Sequence, residues 1–325
     1  MRHYTHLSTD EREKAMVLRE KGCSQNEIAR QLGRDKSCIS REFGRNSKAD
    51  GSYSAALAEK KYRKRRKKCH KPYVMANPEL NAYVAERMRL KWTPEQIEGR
   101  ARLEGYHIRF SYSSIYRAVD RKQLPPDLKK GMRFKAKYKR RKAKEDDKRG
   151  KMQGLTSIHD RPAEVETRET IGHWESDTVL GKRNTGAIGT HVERKTGFLI
   201  AFKLEGTDSK GFVDATVQAF EQLPAEKRKS FTADRGKEFT NHADLKSALN
   251  MPTFFCDPYA PWQRGTNENT NGLLRQFFPK QTSFADVSAQ DLTCVNDLIN
   301  NRPRKRLGWL SPNEALFGLA VGCCT

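Results

Sequence analysis

Hydrophobic residues in the first 45 positions recur at helical spacing and predict three short helices. Ser8 and Glu11 form a capping-box pattern ahead of the first apolar face, and Ser24 and Glu27 repeat the pattern ahead of the second. The third helix is expected to begin at Ser37, after a glycine-containing turn. A short helix, a tight turn and a further helix make up the helix-turn-helix arrangement, which is therefore expected over residues 1–50.

In this arrangement the last helix lies in the major groove of DNA. The side chains expected to face DNA from it are Lys36, Ser37, Ser40, Arg41 and Arg45. The alternative is a small helical domain whose basic residues only face solvent. The two capping boxes and the stretch LGRDKSCISREFGRN favour DNA binding.

Residues 51–120 continue the helical pattern. Thr93 and Pro94 form a helix start, and Ser111 precedes another short helical stretch. This region is either a second helix-turn-helix unit or an ordinary pair of helices. Residues 121–155 are polar and rich in Lys and Arg, which predicts a flexible basic linker that follows phosphates without reading bases. A nuclear-import signal is the alternative interpretation of such a basic cluster.

The pattern changes after residue 155 to β-branched and aromatic stretches separated by glycine-containing turns. Three strands are expected first, in HWESDTVLGK, GAIGTHVERK and GFLIAFKLEG. Helices near 208–222, 241–249 and 266–277 then alternate with strands in KSFTAD and PTFFC. This order predicts a mixed sheet covered by helices over residues 156–325. The fold class of the whole chain is thus mixed, with an all-α N-terminal region followed by an α+β or α/β domain.

The charge is divided unevenly between the two halves of the chain. The net charge is +23, and residues 1–150 hold 41 basic and 19 acidic side chains, a surplus of 22. Residues 151–325 hold the other 22 basic and 21 acidic side chains. A basic half joined to a neutral half indicates a module that binds a polyanion, attached to a domain with a different task.

Several classes of protein fit this sequence poorly. The longest apolar run, residues 315–324, is about half the length that a bilayer span needs, and the N-terminus has no apolar secretory segment. Seven cysteines without a C-x-x-C pair argue against a disulfide framework and against zinc. The adjacent Cys323 and Cys324 have no evident role. A cytoplasmic protein without a membrane partner is expected.

Three carboxylates stand out by their position. Asp177 lies in the middle of the first predicted strand, Asp234 at the end of the fourth, and Glu268 in the first turn of the late helix. Side chains at strand ends and helix starts converge on a crevice in such sheets. Carboxylates suit Mg²⁺, and two such ions about 3.5–4 Å apart serve phosphodiester chemistry. Taken singly, each also has a structural explanation as a solvated strand residue, a turn residue or a helix-start charge.

The chain resembles insertion-sequence transposases of the IS-thirty family, which carry an Asp-Asp-Glu catalytic domain with an RNase H-like, retroviral-integrase-type fold. The resemblance is carried by GHWESDTVLGKR, DRGKEF, YAPWQRGTNENTNGLLRQFFPK and LINNRPRKRLGWLSPNEALF. It extends to LGRDKSCISREFGRN and WTPEQIEGR and so covers nearly the whole chain. Ser176 stands where the family has a small glycine.

The resemblance implies that Asp177, Asp234 and Glu268 are catalytic and hold two Mg²⁺ (or Mn²⁺) ions. The implied reaction is a nick by water at the element's terminal inverted repeat, followed by attack of the freed 3′-OH on target DNA. The implied partners are double-stranded DNA and further copies of the chain, since two element ends must be paired. A nucleoid-associated location follows. The rival functions are a helix-turn-helix repressor and a nuclease that cleaves without joining.

Residues around the carboxylates are expected to support them. Glu175 shares a strand face with Asp177, so it either assists the metal or supports the site from behind through a salt bridge. Asn267 and Asn271 flank Glu268 on the late helix and are the other residues expected to support the carboxylates. Glu238 is the rival for the third carboxylate. Trp262 either contacts DNA or belongs to the core. The further residues expected on the DNA backbone are Arg264 and Arg275, and a basic cluster at 302–306 faces phosphate or solvent.

Overall fold

The structure is a computed structural model that describes residues 5–69, 73–130, 154–206 and 208–322. The chain divides into two compact units, residues 1–73 and 74–325. Residues 131–153 of the expected basic linker, together with Cys323 and Cys324, lie outside the described residues. The assignment of residues 121–130 to that linker was wrong, because Leu124 and Leu128 are buried in a core of helices and residues 126–130 are themselves helical.

The first unit is a bundle of helices that buries a small apolar core. Its helices are α1 (Thr9–Glu20), α2 (Gln25–Gln31), α3 (Lys36–Asn46) and α4 (Ala55–Cys69). Both predicted capping boxes are present, at the starts of α1 and α2. Helix α3 begins one residue earlier than expected, because Asp35 rather than Ser37 caps it by accepting the Ser37 backbone N–H. Ile28 and Ile39 are fully buried between the helices.

Arg12 explains why this unit extends past residue 50. Its side chain is 2% exposed and is hydrogen-bonded to Glu42 on α3 at 2.9 Å and to Glu59 on α4 at 2.7 Å. A buried guanidinium needs such partners, since an unpaired buried charge is strongly unfavourable. The unit therefore includes α4, whereas the sequence suggested a boundary between α3 and α4.

The second unit begins with helices that pack on one another. They are α5 (Pro78–Arg89), α6 (Pro94–Leu103), α7 (Tyr112–Asp120) and the short α8 (Pro126–Lys130). Thr93 caps α6 through a capping box with Gln96, as the sequence indicates. Leu80, Ile97 and Ile115, one from each of the longer helices, are fully buried in their common core.

A six-stranded mixed sheet forms the centre of the second unit. Its strands are β1 (Thr156–Ser157), β2 (His173–Leu180), β3 (Ala187–Glu193), β4 (Leu199–Leu204), β5 (Ser230–Ala233) and β6 (Thr253–Phe255). The strand order is β1-β6-β5-β2-β3-β4. Strands β2, β3 and β4 are antiparallel neighbours, whereas β5 pairs in parallel with β2 and with β6. The three antiparallel strands followed by alternating strands and helices are confirmed; β1 was not expected.

Helices cover both faces of the sheet. They are α9 (Ala163–Thr167), α10 (Ser209–Glu221), α11 (His242–Leu249), α12 (Gly265–Leu274), α13 (Ala289–Asn300) and α14 (Pro312–Phe317). Val179 on β2 packs in one core with α12 and α13, and Trp174 on the same strand packs in another with α10 and α11. The expected mixed sheet with flanking helices, as in the RNase H-like fold, is confirmed. No helix in the described part of the chain is long and apolar enough to cross a bilayer.

Helix α6 is clamped to the C-terminal segment of the sheet domain. The guanidinium of Arg100 donates to both carboxylate oxygens of Glu314 on α14, at 2.6 and 2.7 Å, and both side chains are nearly inaccessible. Gly99 leaves room for Trp309, because a Cβ at residue 99 would collide with the indole ring. Arg302 links Gln96 on α6 to the residues after α12. The helices of residues 74–130 are thus fixed to the sheet domain.

Replacing Arg100 by leucine is expected to lower the free energy of unfolding by about 3–5 kcal/mol, because it leaves the carboxylate of Glu314 buried without its partner. Arg102→Leu on the same helix is the matched control, since that side chain is 77% exposed and its pair with Glu98 is worth at most about 1 kcal/mol. Urea unfolding of the two variants measures the difference. Equal losses in both variants would contradict the assignment of the clamp.

The same pair predicts a dependence of stability on pH. Burial alone raises the pKa of Glu314, but hydrogen bonds from Arg100 and from backbone N–H groups outweigh it and lower that pKa to about 2. A lowered folded pKa stabilises the protein above the unfolded value of about 4.3 and ceases to do so as the pH falls towards 2. The stability gap between the wild type and Glu314→Gln is therefore expected to be largest above pH 5 and to narrow below pH 4. A gap that stays constant from pH 6 to 3 would contradict this.

Candidate active site

The parallel pairing of β2 with β5 brings two of the predicted carboxylates together. Glu175 on β2 lies opposite Thr232 on β5 in the register of this pair. Asp177, within β2, and Asp234, directly after β5, each follow two residues later, so the register places them side by side on neighbouring strands. Their side chains are 27% and 41% exposed, and the partly solvent-exposed surface that they form is called the cleft.

A single guanidinium lies between these two carboxylates. Arg264, just before α12, places Nη1 3.0 Å from Oδ1 of Asp177 and donates from Nη2 to Oδ2 of Asp234 at 2.7 Å. Nη1 also donates to the backbone carbonyl of Ser176 at 3.0 Å. Sequence reasoning placed Arg264 on the DNA backbone; in the structure it contacts the carboxylates.

The electrostatics of this cluster follow from two negative groups that share one positive group. Burial alone lowers the pKa of Arg264, but the negative charges of Asp177 and Asp234 outweigh it and raise that pKa. The guanidinium is therefore fully charged, and the trio keeps one uncompensated negative charge.

Helix α12 turns one face towards the two aspartates. Asn271 donates from Nδ2 to Oδ2 of Asp177 at 2.9 Å. Glu268 lies three residues before Asn271 on α12, and residues at this spacing share a helix face. Its side chain is exposed, in the first turn of α12. Glu268 thus lies on the same face of α12 as Asn271, the partner of Asp177.

Arg275 extends the same face by one turn. It donates from Nη2 to the carbonyl of Leu180 at the end of β2, at 2.7 Å, and burial lowers its pKa.

Among the described residues, no three His, Cys, Asp or Glu side chains form a group ready to hold a metal ion. Like charges repel at short range, so carboxylates spread apart when only one arginine compensates them.

Beneath the cleft, a buried network fixes the start of α12. Glu175 is fully buried, pairs with Arg194 at 2.6 Å, and accepts the backbone N–H of Asn267 at 2.8 Å. The Asn267 side chain donates to the carbonyl of Glu175 at 2.8 Å, and Thr190 donates to its Oδ1. A carboxylate at a helix N-terminus is stabilised by the helix dipole. Of the two roles considered for Glu175, the structure shows the salt bridge.

Glu238 is a further carboxylate beside the cleft. Its oxygens lie against Gly236, where a Cβ would come within 2.6–2.8 Å of them. Burial raises the pKa of Glu238, and the negative charges of Asp234 and Asp177 add to this effect. Glu238 is therefore more easily protonated than an ordinary glutamate, and in the protonated form it adds no negative charge beside the two aspartates.

The loop before α12 presents an aromatic side chain to solvent. Trp262 is 74% exposed, so of the two interpretations the core one is wrong. The neighbouring Gln263 holds the loop by accepting the Asp257 backbone N–H and donating to its carboxylate, both at 2.8 Å.

In the first unit, the side chains expected to face DNA all lie on the exposed side of α3. They are Lys36, Ser37, Ser40, Arg41 and Arg45. Arg41 is held by the carbonyl and the hydroxyl of Ser37, both at 2.9 Å. Ile39 and Phe43 face the core instead, as the sequence predicts.

Sequence reasoning missed Arg194 as a residue of the site and did not predict the contact of Arg264 with the two aspartates. Arg194, the partner of Glu175, lies in no motif that sequence reasoning used. A signal for it is that charged residues follow strand β3, where such a residue can pair with a buried charge. Arg264 was assigned by its proximity to Glu268 alone, and its contact with the two aspartates depends on how the loop folds back over the sheet.

The chain is similar to known families and proteins over both units. A helix-turn-helix domain model matches residues 3–46, and an integrase core domain model matches residues 168–261, a range that includes Asp177 and Asp234. Among solved structures, the catalytic core domain of BIV integrase covers 45% of this chain and 94% of its own length, at 19% identity and a TM-score of 0.36.

Several curated relatives match along almost the whole chain. The transposase for insertion sequence element IS4351 of Bacteroides fragilis is 36% identical, covering 95% of this chain and 94% of its own length. The transposase for IS1086 of Cupriavidus metallidurans is 35% identical, with 96% and 94% covered. Transposase InsI of IS30C from Escherichia coli is 36% identical, with 97% and 84% covered. The chain belongs to the IS30, or IS-thirty, family of insertion-sequence transposases.

Proposed function

We propose that this transposase binds the terminal inverted repeats of an insertion sequence, cleaves DNA there, and joins the freed end to target DNA. The observation that carries the proposal is the pair of carboxylates, Asp177 and Asp234, which the pairing of β2 with β5 brings together on either side of the Arg264 guanidinium. Glu268, in the first turn of α12, would complete the set. The N-terminal unit supplies recognition, with the exposed face of α3 in the major groove.

The donor chemistry of the cleft fits divalent metal ions. Its oxygen ligands are those that Mg²⁺ and Mn²⁺ prefer, and its carboxylates already share a positively charged group. Asp177, Asp234 and Glu268 would hold the metal. When bound, two such ions lower the pKa of an attacking water and stabilise the leaving oxygen of a phosphodiester.

The chain's own residues have separate tasks around this chemistry. Glu175 and Asn267 fix the start of α12, the helix that carries Glu268. Asn271 orients the carboxylate of Asp177. Arg264 and Arg275 remain proposed contacts of the DNA backbone, with Arg264 first released from the aspartates. Exposed Trp262 lies where the DNA end would approach.

The wider organisation follows from this function. Residues 131–153, within the basic segment, would link the helices of residues 74–130 to the catalytic domain and follow phosphates. Two element ends must be held at once, so the active form is proposed to contain at least two copies of the chain. Because its substrate would be DNA, the protein is proposed to act in the cytoplasm, at the nucleoid.

Replacing Asp234 by asparagine is expected to abolish cleavage and joining. The loss should reach about a thousandfold, since a metal contributes several kcal/mol to such a reaction and 1.36 kcal/mol is tenfold in rate. The assay combines the protein, Mg²⁺, a labelled terminal-repeat duplex and a target plasmid. Asp214→Asn, at an exposed position on α10, is the matched control.

Each rival function gives its own result in that assay. Wild-type protein that cleaves without joining is a nuclease. Wild-type protein that binds DNA but does not cleave it is a repressor. Cleavage that survives Asp234→Asn, or that proceeds equally in EDTA, contradicts the proposed site.

Replacing Arg264 by glutamine is expected to strengthen metal binding by at least about tenfold. In the wild type a metal must displace charge-assisted hydrogen bonds from the aspartates, each worth about 1.5–3 kcal/mol. Calorimetric titration with Mn²⁺ measures the affinity without reference to activity. Arg275→Gln, on the same helix face but bonded to a backbone carbonyl, is the control. Unchanged or weaker Mn²⁺ binding in Arg264→Gln would show that this arginine does not compete with the metal.

A further inference from the structure

A small basic cavity lies beside the first turn of α12, next to the catalytic face of that helix. Its volume is about 150 Å³. The lining includes Arg168, Gly197, Thr266, Asn269, Arg304 and Arg306, and none of the described lining residues carries a carboxylate. Two of the arginines come from the 302–306 cluster, for which the sequence left phosphate and solvent as alternatives.

The position of Arg306 in this cavity is built into the fold. Its Nη1 donates to the backbone carbonyl of Arg194 at 3.1 Å. Gly197 lies against the other end of the guanidinium, and a Cβ there would come within 2.6 Å of Nη2. Gly197 also has a φ of +74°, which side chains rarely adopt. The backbone therefore requires glycine at the place where Arg306 needs the space.

Positive charges are held close together in this cavity. Burial lowers the pKa of Arg306, and the positive charge of Arg168 lowers it further. The negative charges of Glu193 and Glu175 act in the opposite direction, but both carboxylates are bonded elsewhere, Glu193 to backbone N–H groups and Glu175 to Arg194. Two guanidinium groups at short range repel each other, and a bound anion removes that repulsion.

A buried hydroxyl points independently to a missing ligand. Thr266 lines the cavity and is only 8% exposed, and its Oγ1 has no hydrogen-bond partner among the described residues. Buried hydroxyls are normally hydrogen-bonded. Thr266 also stands in the first turn of the ten-residue α12, where the helix dipole favours an anion.

We propose that this cavity binds one phosphodiester group of the DNA backbone, through Arg168, Arg304, Arg306 and the hydroxyl of Thr266. The proposal rests on the proposed function, which supplies the DNA. The volume suits a phosphate group and is below the roughly 300–1,000 Å³ of small-molecule pockets.

The place of the cavity defines what the contact does. Asn269, in its wall, directly follows Glu268 on α12, so the held phosphate lies one step around the helix from the catalytic face. A strand anchored there is fixed in position relative to Asp177 and Asp234. The cavity thus positions DNA for the reaction and takes no part in the bond changes.

The test is the salt dependence of binding of the full-length chain to a terminal-repeat duplex. Log K for DNA binding falls as log[salt] rises, and each lost phosphate contact reduces the steepness of this fall by about 0.9. Arg306→Gln is expected to reduce the steepness of the slope by about that amount. The matched control is Lys305→Gln, an adjacent, exposed side chain that does not line the cavity and loses the same charge. It should leave the slope unchanged.

Thr266→Val provides a second, uncharged variant. It should weaken DNA binding at least about tenfold, the loss of one hydrogen bond to a charged phosphate, without a change in slope. Its melting temperature without DNA should be equal to or above that of the wild type, because no protein partner is lost. A lower melting temperature with unchanged DNA affinity would show that the hydroxyl is structural and would overturn its role as a ligand.

The remaining outcomes separate the sources of the anion and the two proposals. A slope that Arg306→Gln leaves unchanged, or that Lys305→Gln lowers equally, overturns the phosphodiester site. Thermal stabilisation by inorganic phosphate at constant ionic strength, with no change in the DNA slope, assigns the cavity to a free anion and also overturns it. A lowered slope in Arg306→Gln when the wild type shows no cleavage supports the cavity, and only the proposed reaction then fails.

Discussion

The parallel register of β2 and β5 is the constraint on which the rest of the site depends. It places Asp177 and Asp234 side by side on the two central strands of the sheet, where their charges repel. Two neighbouring side chains offset that repulsion: Arg264 lies between the carboxylates, and Asn271 donates to one of them. The cleft is therefore a site of excess negative charge whose geometry the sheet enforces.

A second cluster of charges lies below the exposed aspartates, and in contrast to them it is buried and its charges are paired. Glu175 and Arg194 form a buried, fully bonded pair that joins β2, the end of β3 and the start of α12. Such a pair is sensitive to loss of either partner, which makes the position of α12 precise. The buried pair thus keeps the helix that carries Glu268 in place beside the partly exposed aspartates.

Local signals in the sequence were sufficient for much of this structure. Capping boxes at Ser8 and Ser24 marked helix starts, because cap and helix are close along the chain. Alternation and glycine turns marked the strands, and their order placed Asp177 and Asp234. The contacts of Arg264, the partner of Glu175 and the packing of α6 on the C-terminal segment were not predictable in this way. Each joins residues far apart in sequence, and no local pattern records which distant charge a buried group will meet.

The clamp on α6 also bears on how the chain is made. Arg100 and Glu314 are 214 residues apart, so Arg100 meets its carboxylate only after nearly the whole protein has been synthesised. Until then Arg100 lacks the buried carboxylate of Glu314, and Trp309, whose indole covers Gly99, has not been synthesised. Folding of residues 74–130 onto the sheet domain is consequently a late event with a large loop to close. A product of interrupted translation lacks the segment that fixes these helices, and it cannot assemble this second unit.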